Sequence, residues 1–246
     1  MKRIFLSVVL LAASVSVFAQ MSDEDFFRLC SRGSLDDVRA AVAGNANVNA
    51  WGEVPDPDGF KSFYTCLMIA CKNERPDIAE FLLERGAKPN THSREYPIHF
   101  VMGWRDVPKA QNFLRKLVAK DAEVDARTVD GLTPLMMASD MTGITTPDEM
   151  EAKQKLAILL VELGASVDAR DVSGNTPLLI ALSSGVKNQI MHGFLIKLVD
   201  SGANTKAKNS IGENAVTILK RYDSRKAGEI KYYSWYWKIM DDSYPD

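Results

Sequence analysis

Three histidines and three cysteines are the residues of this 246-residue chain best suited to chemistry. A metal centre needs several His, Cys or carboxylate ligands at suitable spacing. His99 has no such neighbour, and His92 and His192 are isolated. A thiol nucleophile needs an activated thiolate and an oriented base. Cys30, Cys66 or Cys71 acting with His99 would have to be assembled by the fold, and no local pattern announces it, so a thiol-dependent enzyme is the remotest reading. The acidic runs Asp23-Glu24-Asp25, Asp148-Glu149 and Asp241-Asp242 fall at helix starts or at the terminus, where solvation and the helix dipole explain them. No glycine-rich phosphate loop occurs. The expectation is a chain without metal, cofactor or catalysis.

The cysteines are equally poor as a covalent framework. An odd number leaves at least one unpaired, and Cys66 and Cys71 lie five apart on one predicted helix, where their side chains diverge. A set of disulfides is not expected.

The N-terminus opens with Lys2-Arg3, runs apolar from Ile4 to Leu11 and ends in the small-residue site Val17-Phe18-Ala19. This pattern is an export signal with cleavage expected after Ala19, which places the mature chain in the periplasm or outside the cell. The apolar run is short for a membrane span, so none is expected after signal removal. Loss of Lys2 and Arg3 leaves 28 cations against 32 acids, a net charge of −4. That balance does not favour nucleic acid.

The helix starts "DGLTPLMMA" (130–138) and "SGNTPLLIA" (173–181) share a grammar 43 positions apart. A second phrase recurs along the chain: "AGNANVNA" (43–50), "ERGAKPN" (84–90), "AKDAEVDA" (119–126), "ELGASVDA" (162–169) and "DSGANTKA" (200–207). Its Gly slot falls at Asn45, Gly86, Asp121, Gly164 and Gly202, and a Thr slot falls at Thr65, Tyr96, Thr133, Thr176 and, degenerate, Asn214. Gly131 and Gly174 permit the turn, Thr133 and Thr176 can cap the helix that follows, and Pro134 and Pro177 suit its first position, whose amide has no partner. At the other end, Gly just past an amphipathic helix closes the last turn in a left-handed conformation.

These phrases resemble the ankyrin repeat, a turn plus two antiparallel helices with a T-P-L-H-x-A signature. Thr133-Pro134-Leu135 with Ala138, Thr176-Pro177-Leu178 with Ala181, and the pairs Gly86-Ala87, Gly164-Ala165 and Gly202-Ala203 carry the resemblance. It implies an all-α solenoid of stacked helix-turn-helix repeats with β-turn fingers over residues 20–221, preceded by the signal at 1–19. One repeat cannot bury both helix faces, so neighbours must supply the core. His99 matches the His slot, which implies a structural hydrogen bond in the turn. Cys30 and Cys71 occupy equivalent positions of successive repeats, read as small core residues too far apart for a disulfide. Residues 222–246 hold Tyr222, Tyr232, Tyr233, Trp235, Tyr236, Trp237 and Tyr244. This segment reads as a cap with Trp235 and Ile239 inward, or as an aromatic partner patch.

Two departures stand out. The turn before the second repeat, residues 51–63, is enlarged and combines Trp51, Phe60 and Phe63 with Asp56 and Asp58. Its aromatics serve either as a recognition hot spot or as cover over the first two repeats. Unit three has a short turn, Tyr96 in the Thr slot and Asp121 in the Gly slot, which suggests a local bend or Trp104 and Arg105 reaching a ligand. The resemblance further implies partner contacts at turn tips and first-helix ends: Lys72, Val129, Asp130, Leu132, Asp140, Val172 and Asn175. The reading is a monomeric, non-catalytic protein-binding scaffold of the bacterial envelope. An inhibitor or immunity-like protein that blocks an enzyme or toxin is the alternative.

Overall fold

The structure is a computed structural model that describes residues 21–55, 61–90, 94–185 and 191–223 together with Tyr236, Ile239 and Met240. The expected leader, residues 56–60 with Asp56, Asp58 and Phe60, and most of the aromatic tail, Trp235 included, lie outside the described residues. The chain forms two compact lobes. Of the described residues, the N-lobe takes those through Val101 together with Ala119–Ala122, and the C-lobe takes Met102–Val118 and those from Glu123 on.

The N-lobe contains α1 (Asp23–Arg32), α2 (Leu35–Ala43), β1 (Trp51–Pro55), β2 (Lys61–Thr65), α3 (Cys66–Lys72), α4 (Pro76–Glu84) and α5 (Pro97–Val101). Ser22 caps α1 and Thr65 caps α3, each accepting the amide three residues on. At α2 the box is complete: Ser34 accepts the Asp37 amide while the Asp37 carboxylate accepts the Ser34 amide. The Ser34 hydroxyl and then the Ser34 amide, both donating to the Asp37 carboxylate, hold its carboxyl below its ordinary range. Helix α1 packs on α3 and α3 on α5, while α2 packs on α4. First helices thus stack on first helices, and second on second. Phe26, Leu67, Ile78 and Leu82 fill the space between them.

The long turn was expected as a loop in an all-helical array; it is an antiparallel β-hairpin. Its register runs from Trp51 opposite Thr65 to Pro55 opposite Lys61. The extra residues give the turn two arms long enough to pair, and the Cys66 amide donating to the Ala50 carbonyl at 2.9 Å closes the base. Gly52 is required there, because a Cβ would meet the Phe27 ring at 2.3 Å.

The C-lobe contains α6 (Val107–Ala119, counted through Val118), α7 (Pro134–Ser139), α8 (Pro147–Glu162), α9 (Pro177–Gly185), α10 (His192–Asp200) and α11 (Ala215–Asp223). Thr133 and Thr176 cap their helices as expected, Thr146 caps α8, and Asn214 in the degenerate slot accepts the Thr217 amide. Helix α7 packs on α9 and α9 on α11, with α8 against α10. Phe113, Leu135, Leu178 and Phe194 are fully buried, each burial stabilising by about 1.5–3 kcal/mol. Ile239 is also buried, as expected of the tail, and so is Tyr236.

The Gly slot behaves identically throughout. Asn45, Gly86, Asp121, Gly164 and Gly202 all have positive φ, from 64° to 92°. In four of the five, the following alanine donates its amide across the helix end: Ala46 to Ala41, Ala87 to Leu82, Ala165 to Leu160 and Ala203 to Leu198, at 2.9–3.0 Å. That six-to-one bond satisfies a carbonyl the helix leaves open.

Gly164 and Gly174 separate two costs. A Cβ at Gly164 meets nothing within 4 Å, whereas at Gly174 it meets the Asn209 and Ser210 backbone at 3.3 Å. Gly164→Ala should lower C-lobe stability in urea unfolding by about 1 kcal/mol, the conformational cost alone. Gly174→Ala should cost more, because the neighbouring finger must also shift.

Candidate functional site

Two exposed surfaces, one on each lobe, collect the residues expected to meet a partner. On the N-lobe, Trp51 and Phe63 are 57% and 48% exposed and meet edge to face with ring centroids 5.4 Å apart. They stand on facing arms of the hairpin, and Trp51 also lines the groove beside it. A cavity of about 1310 Å³ opens between β1, α1 and the end of α3. Most charged groups around it have partners: Arg28 pairs with Glu24 and Asp25, Lys61 pairs with Glu53, and Asn47 donates to Asp23. Exposed pairs of this kind add little stability but leave the rim polar. Lys72 is held over the Tyr64 ring at 4.4 Å and donates to its hydroxyl, which in turn donates to Glu95. Lys72 is exposed but anchored.

On the C-lobe, three successive turns form the same finger. The amides of Gly131, Gly174 and Gly212 donate to the carbonyls of Thr128, Asp171 and Asn209. Asp171 and Asn209 also accept, through their side chains, two amides of their own turns. The fingers are joined: Val172 donates its amide to the Asp130 carbonyl at 3.2 Å, and Ser210 to the Ser173 carbonyl at 2.8 Å. Arg127 bridges the carbonyls of Gly131 and Arg170, and Arg170 those of Gly174 and Lys208. On this rigid edge stand Val129, Val172 and Ile211, which are 64%, 75% and 76% exposed.

The remaining expected contact residues divide by what already holds them. Asp130 is exposed with its carbonyl in the finger ladder, and Leu132 is half-buried. Asn175 donates to Asp171 and accepts from Asn209, so its polar atoms serve the fingers. Asp140 is half-buried: its side chain accepts the Thr142 amide and its carbonyl accepts Lys153, whose ammonium pKa burial pushes down. Arg105 is exposed. Trp104 was placed on the surface and is instead 5% exposed, stacked on Phe113 at 5.2 Å between centroids. An indole beside a helix with an apolar face is buried for its area, and the sequence "GWRD" carries no sign of that contact.

Ile211 and the paired bridges were missed. Asp125 accepts the Ser166 amide and Asp168 the Asn204 amide from the next repeat, while Asn49 does the same for Lys88 in the N-lobe. The signal was present: "VDAR" is written at 124–127 and again at 167–170. His99 is buried and accepts the Tyr96 amide at Nδ1, 3.1 Å away, the structural role its slot implied. Burial pushes the Cys71 thiol up, and the Cys66 thiol is raised first by its hydrogen bond to Cys30 and then by burial. Nucleophilic thiols are shifted the other way. Among the described residues no group of three His, Cys, Asp or Glu side chains could hold a metal ion, and no helix is long and apolar enough to cross a membrane.

Capped helix pairs, left-handed closures and joined fingers give this chain an ankyrin repeat fold. The ankyrin repeat model matches residues 63–91. Human neurogenic locus notch homolog protein 4 is 37% identical over 92 residues, 37% of this chain and 4% of that protein, so the chain spans only a small part of its length. The fold is similar to the ankyrin repeat domain of human ASB11, with a TM-score of 0.61 and 22% identity over 90% of this chain and 84% of that one. It is similar also to an ankyrin repeat domain from Acinetobacter baumannii, with a TM-score of 0.64 and 18% identity over 81% of this chain and 92% of the other.

Trp104 and Val172 should therefore behave oppositely. Trp104→Ala is expected to destabilise the C-lobe by about 3 kcal/mol or more, and Val172→Ser to stay within about 0.5 kcal/mol of the parent in denaturant unfolding.

Proposed function

We propose that the chain is a non-catalytic binding scaffold that recognises another protein through the C-lobe finger edge. The observation that supports this most is the row Val129, Val172 and Ile211: three large apolar side chains held in water on turns fixed by hydrogen bonds to one another. A single exposed apolar residue is ordinary, but a row of them on a rigid edge suits a partner. Preorganised turns lower the ordering cost of association. Ankyrin repeats are protein-interaction modules, which supports the class of ligand. The Trp51–Phe63 pair offers a second contact surface, on the N-lobe.

The leader pattern of Lys2-Arg3, an apolar run and Ala19 supports export, so the partner is sought in the envelope or outside the cell. The mature chain is used as bait against an envelope extract, with the captured protein identified and its affinity measured. Changing Val129, Val172 and Ile211 together to Ser should weaken capture by at least about tenfold while the circular dichroism spectrum is kept. Undiminished affinity in that variant would remove the finger edge from the interface. Loss only in Trp51→Ala with Phe63→Ala would move it to the N-lobe.

A further inference from the structure

Strand β1 has one edge paired and one edge open. Cys66 donates its amide to the Ala50 carbonyl at the base of the hairpin, and backbone groups alternate in direction along an antiparallel pair. Gly52 and Val54 therefore bond to Tyr64 and Ser62, while the amides and carbonyls of Trp51 and Glu53 point away from β2. Pro55 shares that parity and has no amide to lose. Among the described residues nothing bonds to the backbone of Trp51 or Glu53. The C-lobe fingers differ, because each passes backbone groups to the next. An open edge is a template for another strand.

That edge borders the groove between β1, α1 and the end of α3. Charge changes sign along the groove. In the first turn of α1 stand Asp23, Glu24 and Asp25, with Arg28 as their only ion-pair partner among the described residues. In its last turn stands Arg32, with Lys72 beside it in the lining. Lys72 is already engaged by Tyr64, and Glu53 by Lys61. Arg32 is exposed, and among the described residues its guanidinium has no ion pair or hydrogen bond. Its planar fork is free for a carboxylate.

We propose that this groove takes an extended segment of another protein as a third strand beside β1, with a basic residue of that segment toward Asp23–Asp25 and an acidic residue toward Arg32. Strand addition supplies main-chain bonds to the open groups of Trp51 and Glu53, and those bonds read no sequence. Selectivity comes from the opposite charges at the two ends, which fix how the segment lies. The site belongs to the N-lobe alone and does not rest on the C-lobe finger edge, so either can fail without the other.

The full chain is immobilised and panned with a phage-displayed library of random dodecapeptides, and the enriched sequences are synthesised. They should carry a basic residue toward one end and an acidic residue toward the other, and the bound peptide should slow hydrogen exchange at the Trp51 and Glu53 amides. Arg32→Ser should weaken binding by about tenfold, the loss of one charge-assisted pair. Glu53→Pro removes an open-edge amide and no ladder bond, and should weaken it by at least about as much. Both variants should keep the parent's circular dichroism spectrum. Changing Val129, Val172 and Ile211 together to Ser should leave the affinity unchanged. Enrichment of no sequence, enrichment without that charge order, unchanged exchange at both amides, or full-strength binding in Arg32→Ser would overturn the assignment. So would a dimer of the free protein that protects the same two amides, since a second copy would then be the occupant.

Discussion

Asp168 accepts the Asn204 amide at 2.7 Å, and Asn204 belongs to the next repeat. On that kind of bond the described arrangement depends. Helices α7, α9, α10 and α11 are short, nine residues at most, and α7 has only six, too few to hold itself in water. Each becomes stable by burying one face on the equivalent helix of the next repeat. Apolar faces alone would let the repeats slide. Directional bonds between loops fix the register: Asp125 to Ser166, Asp168 to Asn204, Arg127 to the Arg170 carbonyl, Arg170 to the Lys208 carbonyl. The N-lobe uses Asn49 and Lys88 for the same purpose.

This constraint decides where recognition can occur. Backbone groups of the fingers are consumed by neighbouring fingers, and the polar atoms of Asn175 and Asp171 by their own turns. What remains free to vary is the side chain at each tip. In the C-lobe those tips are Val129, Val172 and Ile211, so the edge is rigid beneath and apolar above. The hairpin of the N-lobe reaches a similar end by a different route, with Trp51 and Phe63 braced against each other across paired strands.

Local rules were legible in the sequence, and long-range ones were not. The Gly slot was readable even where Asn45 and Asp121 fill it, since a helix must end left-handed there to satisfy its last carbonyls. Thr133 and Thr176 announced their helices by chemistry within three residues. The hairpin was hidden because its strands are recognised by each other, not by composition. Trp104 was misplaced because its burial is decided by Phe113, nine positions on, and by no pattern in between.

Native-state hydrogen exchange of the loop amides tests this account most directly. Ser166, Asn204, Val172 and Ser210 lie outside the helices, yet each donates to a group of the preceding repeat. Their protection should approach that of the α9 core amides and fall selectively at Asn204 in Asp168→Ala. Exchange of these four at the rate of open loops, in a protein whose helices remain protected, would contradict it.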